Sequence, residues 1–228
     1  MEKTGERALF GVSIGHAAHD TWFGLAPILL ASLSSQMGIS NSDIGLMLLL
    51  YQGISAVVQP FFGRLSERVG GRPLAIGSIL WTTSLFSIAL FVNSKLALTV
   101  LIALAGFGSG AWHPQGAANA TLSGGKRWGA TAMSIFSLGG ILGTAFLGAA
   151  LGGYLLEAYG RRSLLLISAI TVGLALTVVR RTVPRWVAVP KKAAGQATRG
   201  HNGVAEKVFR RLLIFLLLGI AFRSLANN

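Results

Sequence analysis

Cysteine is absent from the 228 residues, which excludes disulfides, thiolate metal sites and cysteine nucleophiles together. Acidic residues are almost as scarce, at 7 Asp and Glu, and charged residues of both signs make up only 12% of the chain. A soluble domain carries roughly 25%. No nucleophile–base pair, phosphate-cradling loop or metal-ligand cluster stands out, so an enzyme is not expected. Hydrocarbon takes the place of these groups. Hydrophobic residues reach 52%, mean hydropathy is +0.62, and 30 glycines are scattered through the apolar runs instead of gathering in loops. This is a membrane composition.

A spanning helix needs roughly 20 mostly apolar residues. About six such spans can be cut from the chain, at 9–33, 43–63, 73–93, 96–122, 129–155 and 162–180, and a seventh starts near Val208. The opening segment "MEKTGERALFGVSIGHAAHD" has no small-residue cleavage site and leads into too long an apolar run for a signal peptide. It reads as the first membrane helix.

The net charge of +13 is organised by loop. Sixteen of the 20 Lys and Arg residues fall on the side of the N-terminus, nine of them from Arg180 to Arg211; Lys95, Arg161 and Arg162 lie opposite, and Arg223 falls inside the seventh span. The positive-inside rule places the N-terminus and the long basic connection in the cytoplasm. Topology thus accounts for the charge, and without a basic patch interleaved with aromatics no nucleic-acid partner is expected. The connection "RRTVPRWVAVPKKAAGQATRGHNGVAEKVFRR" reads as a linker between two bundles.

Shifted by 90 residues, the chain matches itself. "GRLSERVGGRP" from Gly63 lies on "GYLLEAYGRRS" from Gly153, with Gly63, Leu65, Glu67, Gly70 and Arg72 on Gly153, Leu155, Glu157, Gly160 and Arg162. Three spans separate the copies, so they lie on opposite membrane faces, which is the mark of a three-plus-three inverted repeat. In the first copy Gly63 permits close helix approach, Glu67 can pair with a cation or cap a helix, and Arg68 and Arg72 offer forked donors to exposed carbonyls. Such a cluster is a candidate gate. "GRLSERVGGR" resembles the cytoplasmic loop motif of the major facilitator superfamily, with Gly71 where an Arg is usual. "GGILGTAFLGAALGG" is similar to the superfamily's fifth-helix antiporter motif, with Gly139, Gly143 and Gly148 in register but Thr144 in place of proline. Read from the residues alone, it is a small-residue face for helix packing.

Polar groups at membrane depth are costly and mark a pathway. Ser13, His16, Asp20, Gly24 and Pro27 share one face of the first span, with His16 and Asp20 one turn apart. Gln52, Ser55 and Gln59 make a stripe in the second, and Gly106, Ser109, Gly110 and His113 precede Pro114 in the fourth. A buried carboxylate beside an imidazole can pass a proton near neutral pH. A structural network in which His16 and Asp20 satisfy each other and Gln52 stays open as an alternative. A metal site on His16, His19 and Asp20 lacks a further carboxylate or cysteine motif to complete it, so neither metal nor cofactor is expected.

The segments "GHAAHDTWFGLAPILLASL", "IGLMLLLYQGISAVVQPFFGRLSER" and "GFGSGAWHPQGAANATLSGGKRWGATAMSIFSLGGILG" resemble helices one, two, four and five of the superfamily's fosmidomycin-resistance branch. The resemblance implies an all-α membrane protein: the six-helix N-terminal half of a facilitator over 1–180, a basic cytoplasmic linker over 181–207 and an incomplete seventh helix over 208–228. It implies a multi-pass protein of the bacterial inner membrane that exports a small compound such as fosmidomycin in exchange for protons. Arg223, at a place where the branch often has an Arg, would suit an anionic substrate; a simple snorkelling role is equally open. The partners expected are a small-molecule substrate, protons, the lipid bilayer and either a second half or another copy of the chain. Metabolite uptake and a non-transporting half that binds a partner remain the alternatives.

Overall fold

The computed structural model describes residues 3–185, and these are helical almost throughout, with no strand among the described residues. Four long helices come first: α1 Lys3–Met37, α2 Asn41–Val69, α3 Gly71–Ala89 and α4 Lys95–Ile141. Wide π-type turns over Leu142–Gly152 carry α4 into α5, Gly153–Tyr159. A short 3-10 turn, Arg161–Leu164, then opens α6, Leu165–Leu174, which continues through Ala175–Val179 to Thr182.

By length and composition, Asn41–Val69, Lys95–Tyr159 and Arg161–Thr182 are long and apolar enough to cross a membrane. The sequence reading expects six spans, and α1 and α3 are not among these three. In α1 the run is interrupted by His16, His19 and Asp20; in α3 it is diluted by Ser78, Thr82, Thr83, Ser84 and Ser87. The 65-residue tract Lys95–Tyr159 would be about 97 Å long if straight, some three times the hydrocarbon thickness. It is not straight. Gly125, at φ 61° and ψ −162°, breaks the helix, and the chain turns back so closely that a Cβ on Gly124 would lie 2.7 Å from the Gly129 nitrogen. The returning arm brings the Phe136 ring against Gly116.

Glycine also makes the turns after α2 and α5. Gly70 has φ 90° and ψ 157°, Gly160 has φ 77° and ψ 174°, and both lie in a region that L side chains avoid. Each donates its N–H to the carbonyl four residues back, Ser66 O at 3.0 Å and Leu156 O at 2.9 Å. After each turn an arginine fastens a distant helix end. Arg72 donates from Nε to Val183 O at 2.6 Å; Arg161 donates to Val92 O at 3.3 Å and to Asn93 Oδ1 at 2.8 Å.

Two apolar clusters hold the helices together. One gathers Trp22, Leu25, Leu29, Met47, Tyr51, Phe86, Ile102 and Ile167; the other gathers Leu9, Val12, Ile79, Trp112, Phe136 and Val179. Hydroxyl pairs supplement them between helices: Trp22 Nε1 donates to Thr83 Oγ1 at 3.1 Å, Thr83 meets Thr171 at 3.1 Å and Ser87 meets Ser168 at 2.8 Å. Lipid is as apolar as leucine, so such bonds and close small-residue contacts help hold helices together in a bilayer. Large apolar side chains such as Leu49, Val57, Phe61 and Phe146 stand exposed on the outside, as a lipid-facing surface requires.

Candidate functional site

Asp20 lies midway along α1, between the part of that helix in the Val12 cluster and the part in the Trp22 cluster. A carboxylate at the centre of a spanning helix costs roughly 2.5–3.5 kcal/mol. A hydrogen bond to a charged group returns about 1.5–3 kcal/mol, so a single good donor offsets most of that cost. His19 supplies it: Nδ1–H donates to Asp20 Oδ1 at 2.9 Å, while Nε2 accepts from the Thr82 hydroxyl at 3.3 Å. The His19 ring is fully buried and stacks on Trp112, 9° from parallel with centroids 5.8 Å apart.

Two more imidazoles face the same carboxylate. His16 Nε2 stands 3.1 Å from Asp20 Oδ2, and His113 Nε2, brought in by α4, stands 3.8 Å from Oδ1. Their other nitrogens are occupied. His16 Nδ1–H donates to Phe136 O at 2.8 Å and His113 Nδ1–H to Ser109 O at 2.9 Å. His16 stacks on Phe136 with centroids 4.0 Å apart. The ring fits because residue 140 is glycine: a Cβ there would lie 2.6 Å from His16 Cε1. Ser55 of α2 reaches the cluster's edge by donating to Ser109 Oγ at 2.9 Å.

His16, Asp20 and His113 therefore meet. The other residues singled out from the sequence lie elsewhere. Gln52 is exposed and Gln59 half-buried, and neither makes a side-chain hydrogen bond among the described residues. Gly63 sits beside Pro114, Glu67 and Arg68 are exposed, and Arg72 makes the bond to Val183 O. Gly139, Gly143 and Gly148 press on the α1 backbone at Ser13, Ala17 and Thr21, and Gly24 presses back on Thr144. Arg223, the linker beyond Arg185 and the expected seventh helix lie outside the described residues, while Arg181 and Thr182, placed in the linker from the sequence, still belong to the α6 tract. Sequence reasoning missed Thr82, Phe136 and Gly140. It weighed His19, the second imidazole of "HAAHD", only as a metal ligand and not as the donor to Asp20.

Helices of this composition around a polar cluster are those of a membrane protein, and comparison with known proteins points to a family of transporters. Residues 13–227 match the Major Facilitator Superfamily, and the chain belongs to that family. It is 29% identical over 223 residues to the fosmidomycin resistance protein of Escherichia coli (strain K12), covering 94% of this chain and 54% of that one. It is 25% identical over 207 residues to the uncharacterized MFS-type transporter YfnC of Bacillus subtilis (strain 168), covering 89% and 50%. With the multidrug resistance protein MdtG of Dickeya zeae (strain Ech586) the identity is 27% over 164 residues, covering 68% and 39%. The chain thus spans about half the length of the first two of these relatives and less of the third.

Proposed function

We propose that this chain forms the N-terminal half of a proton-coupled exporter of small compounds, fosmidomycin among them, in the bacterial inner membrane with its N-terminus in the cytoplasm. The observation that carries the reading is the Asp20 carboxylate held midway along α1 with three imidazoles around it, two of them turned toward it without a hydrogen bond. Each neutral ring spends its one N–H, and the Nε2 lone pairs of His16 and His113 that remain beside the carboxylate are sites for protons. The names of the relatives, a fosmidomycin resistance protein and a multidrug resistance protein, support export of a drug-like compound.

In this reading residues 1–180 are six spans in a three-plus-three inverted repeat, 181–207 a cytoplasmic linker and 208–228 the seventh helix. Support for the repeat comes from the turns at Gly70 and Gly160, 90 residues apart with like dihedrals and the same backbone bond, and from the arginines that follow them. The arginine at the start of α3 holds the end of the α6 tract, and the arginine at the start of that tract holds the end of α3. The glycine face of residues 139–148 supports a rigid pairing with α1, and the exposed Glu67 and Arg68 are free to serve a gate. A second half or another copy completes the cavity, to which Gln52, Gln59 and Arg223 contribute.

The test is growth on fosmidomycin of an efflux-deficient bacterium carrying this chain alone, the chain extended by a second half, and the extended chain with Asp20→Asn. The extended chain is expected to protect and Asp20→Asn to abolish protection at equal membrane levels. Full protection by Asp20→Asn would remove the carboxylate from the mechanism. Failure of the extended chain would overturn the substrate, and protection by the short chain would show that copies of one half suffice.

A further inference from the structure

His16 and His113 share a feature that proton transfer does not require. Each spends Nδ1–H on a backbone carbonyl, Phe136 O or Ser109 O, and a carbonyl can only accept. In the neutral ring the hydrogen therefore sits on Nδ1 and the lone pair on Nε2. Both Nε2 atoms are turned to the Asp20 carboxylate, at 3.1 and 3.8 Å. Its oxygens are also lone-pair donors. Three electron-pair donors on two helices thus converge, with all three ligand atoms within 4.8 Å of one another. A proton on His16 Nε2 would answer one of these lone pairs and leave that of His113, 3.8 Å from the carboxylate, unanswered.

We infer that His16 Nε2, His113 Nε2 and an Asp20 oxygen form a binding site for a divalent cation of the zinc class. Two imidazoles and one carboxylate suit Zn²⁺, Co²⁺ or Ni²⁺; a thiolate-free site does not favour Cu⁺, and a single carboxylate is too few oxygens for Ca²⁺. Zinc bonds of about 2.0–2.2 Å put tetrahedral ligand atoms about 3.3 Å apart. The His16 Nε2–Oδ2 pair at 3.1 Å lies close to that value, one ligand atom from each of the three residues falls within 4.8 Å of the others, and the His113 side chain, 36% exposed, has room to move in. The surroundings are those of a metal site. Carbonyls hold the far nitrogens of both ligand imidazoles and so fix which nitrogen binds. His19 occupies Oδ1 and leaves Oδ2 for the ion, while Phe136 and Gly140 confine the His16 ring. Three protein ligands leave one position open, the arrangement of an exchangeable ion rather than a structural one.

The site goes beyond the transport reading and does not rest on it, and its test involves no transport. The full chain, purified in detergent and freed of any affinity tag, is titrated with Co²⁺ and followed by visible absorption, then with Zn²⁺ in competition. Expected is one ion per chain with the intense visible bands of tetrahedral cobalt, bleached by zinc. His113→Ala and Asp20→Asn are each expected to weaken binding about tenfold or more, and His201→Ala, the only other histidine change outside the cluster, to leave it unchanged. Circular dichroism checks that the variants keep their helices. A wild-type chain that gives no cobalt bands overturns the proposal whatever the variants do, and so does a helical His113→Ala that binds as wild type. Loss of the ion in His201→Ala alone would place it elsewhere and overturn the proposal equally.

Discussion

The two glycine turns, Gly63–Arg72 and Gly153–Arg162, share a backbone and differ in surface. Both turns rest on a positive-φ glycine whose N–H reaches back four residues. Around the first stand Arg64, Glu67 and Arg68; at the matching places of the second stand Tyr154, Glu157 and Ala158, with Tyr159 beside them. Tyr154 and Tyr159 are 59% and 69% exposed and meet edge to face with centroids 6.4 Å apart. Glycine and the backbone bond suffice for the turn, so the remaining side chains are free to mark a side of the membrane. In the proposed topology the cations mark the cytoplasmic side, and the tyrosines suit the headgroup level opposite.

Removing the shared glycines should have the largest effect on this pair. Gly70→Ala and Gly160→Ala are each expected to cost about 1–3 kcal/mol, and together about the sum, because the sites are far apart and share no partner. Unfolding in SDS followed by circular dichroism measures it, and alanine tolerated at one site but not the other would end the equivalence of the turns. The arginines should divide more finely. Arg72→Ala removes a part-buried charged bond to Val183 O and is expected to cost about 1.5–3 kcal/mol. Arg161→Ala, whose better bond to Asn93 is exposed, is expected to cost about 1 kcal/mol or less. The same unfolding assay ranks them, and a reversed order would mean that the exposed clamp is the stronger.

The smallest effect concerns orientation. Exchanging Arg64 and Arg68 for Tyr and Ala, with Tyr154→Arg and Ala158→Arg in return, should barely change stability but raise the fraction of chains inserted in the opposite sense. The parent has no cysteine, so one Cys introduced at Ser40 reports its side of the membrane without background. Labelling from the outside that does not fall after the exchange would detach these side chains from topology.

The sequence made some of this legible and left the rest hidden for identifiable reasons. The spacing of His16 and Asp20 put both on one face because helical residues four apart are neighbours. The 90-residue repeat pointed to the turns because a positive φ asks for glycine wherever it occurs. Phe136 could not be found this way. It acts through a carbonyl, which every residue carries, 120 positions from His16. Gly140 stood in the same glycine-rich run as Gly139, yet only the rotation of the helix decides which of the two meets a ring and which a backbone. Gln52 stands outside the cluster for the same reason. The packed side of α2 runs through Met47, Tyr51 and Ser55, four residues apart, and the residue after Tyr51 is turned about 100° away.

Four contacts along α1 have a mechanical consequence. Gly139, Gly143 and Gly148 lie on carbonyl oxygens of Ser13, Ala17 and Thr21, while Gly24 of α1 lies on Thr144 O, so the two backbones touch at successive turns with no side chain between them. Close approach of this kind adds weak Cα–H···O bonds to dispersion. Sliding or splaying one helix against the other would break all four contacts at once. The pair is built as a stiff double beam, and whatever bending the chain performs must be taken up where flexible side chains, not bare backbone, form the joint.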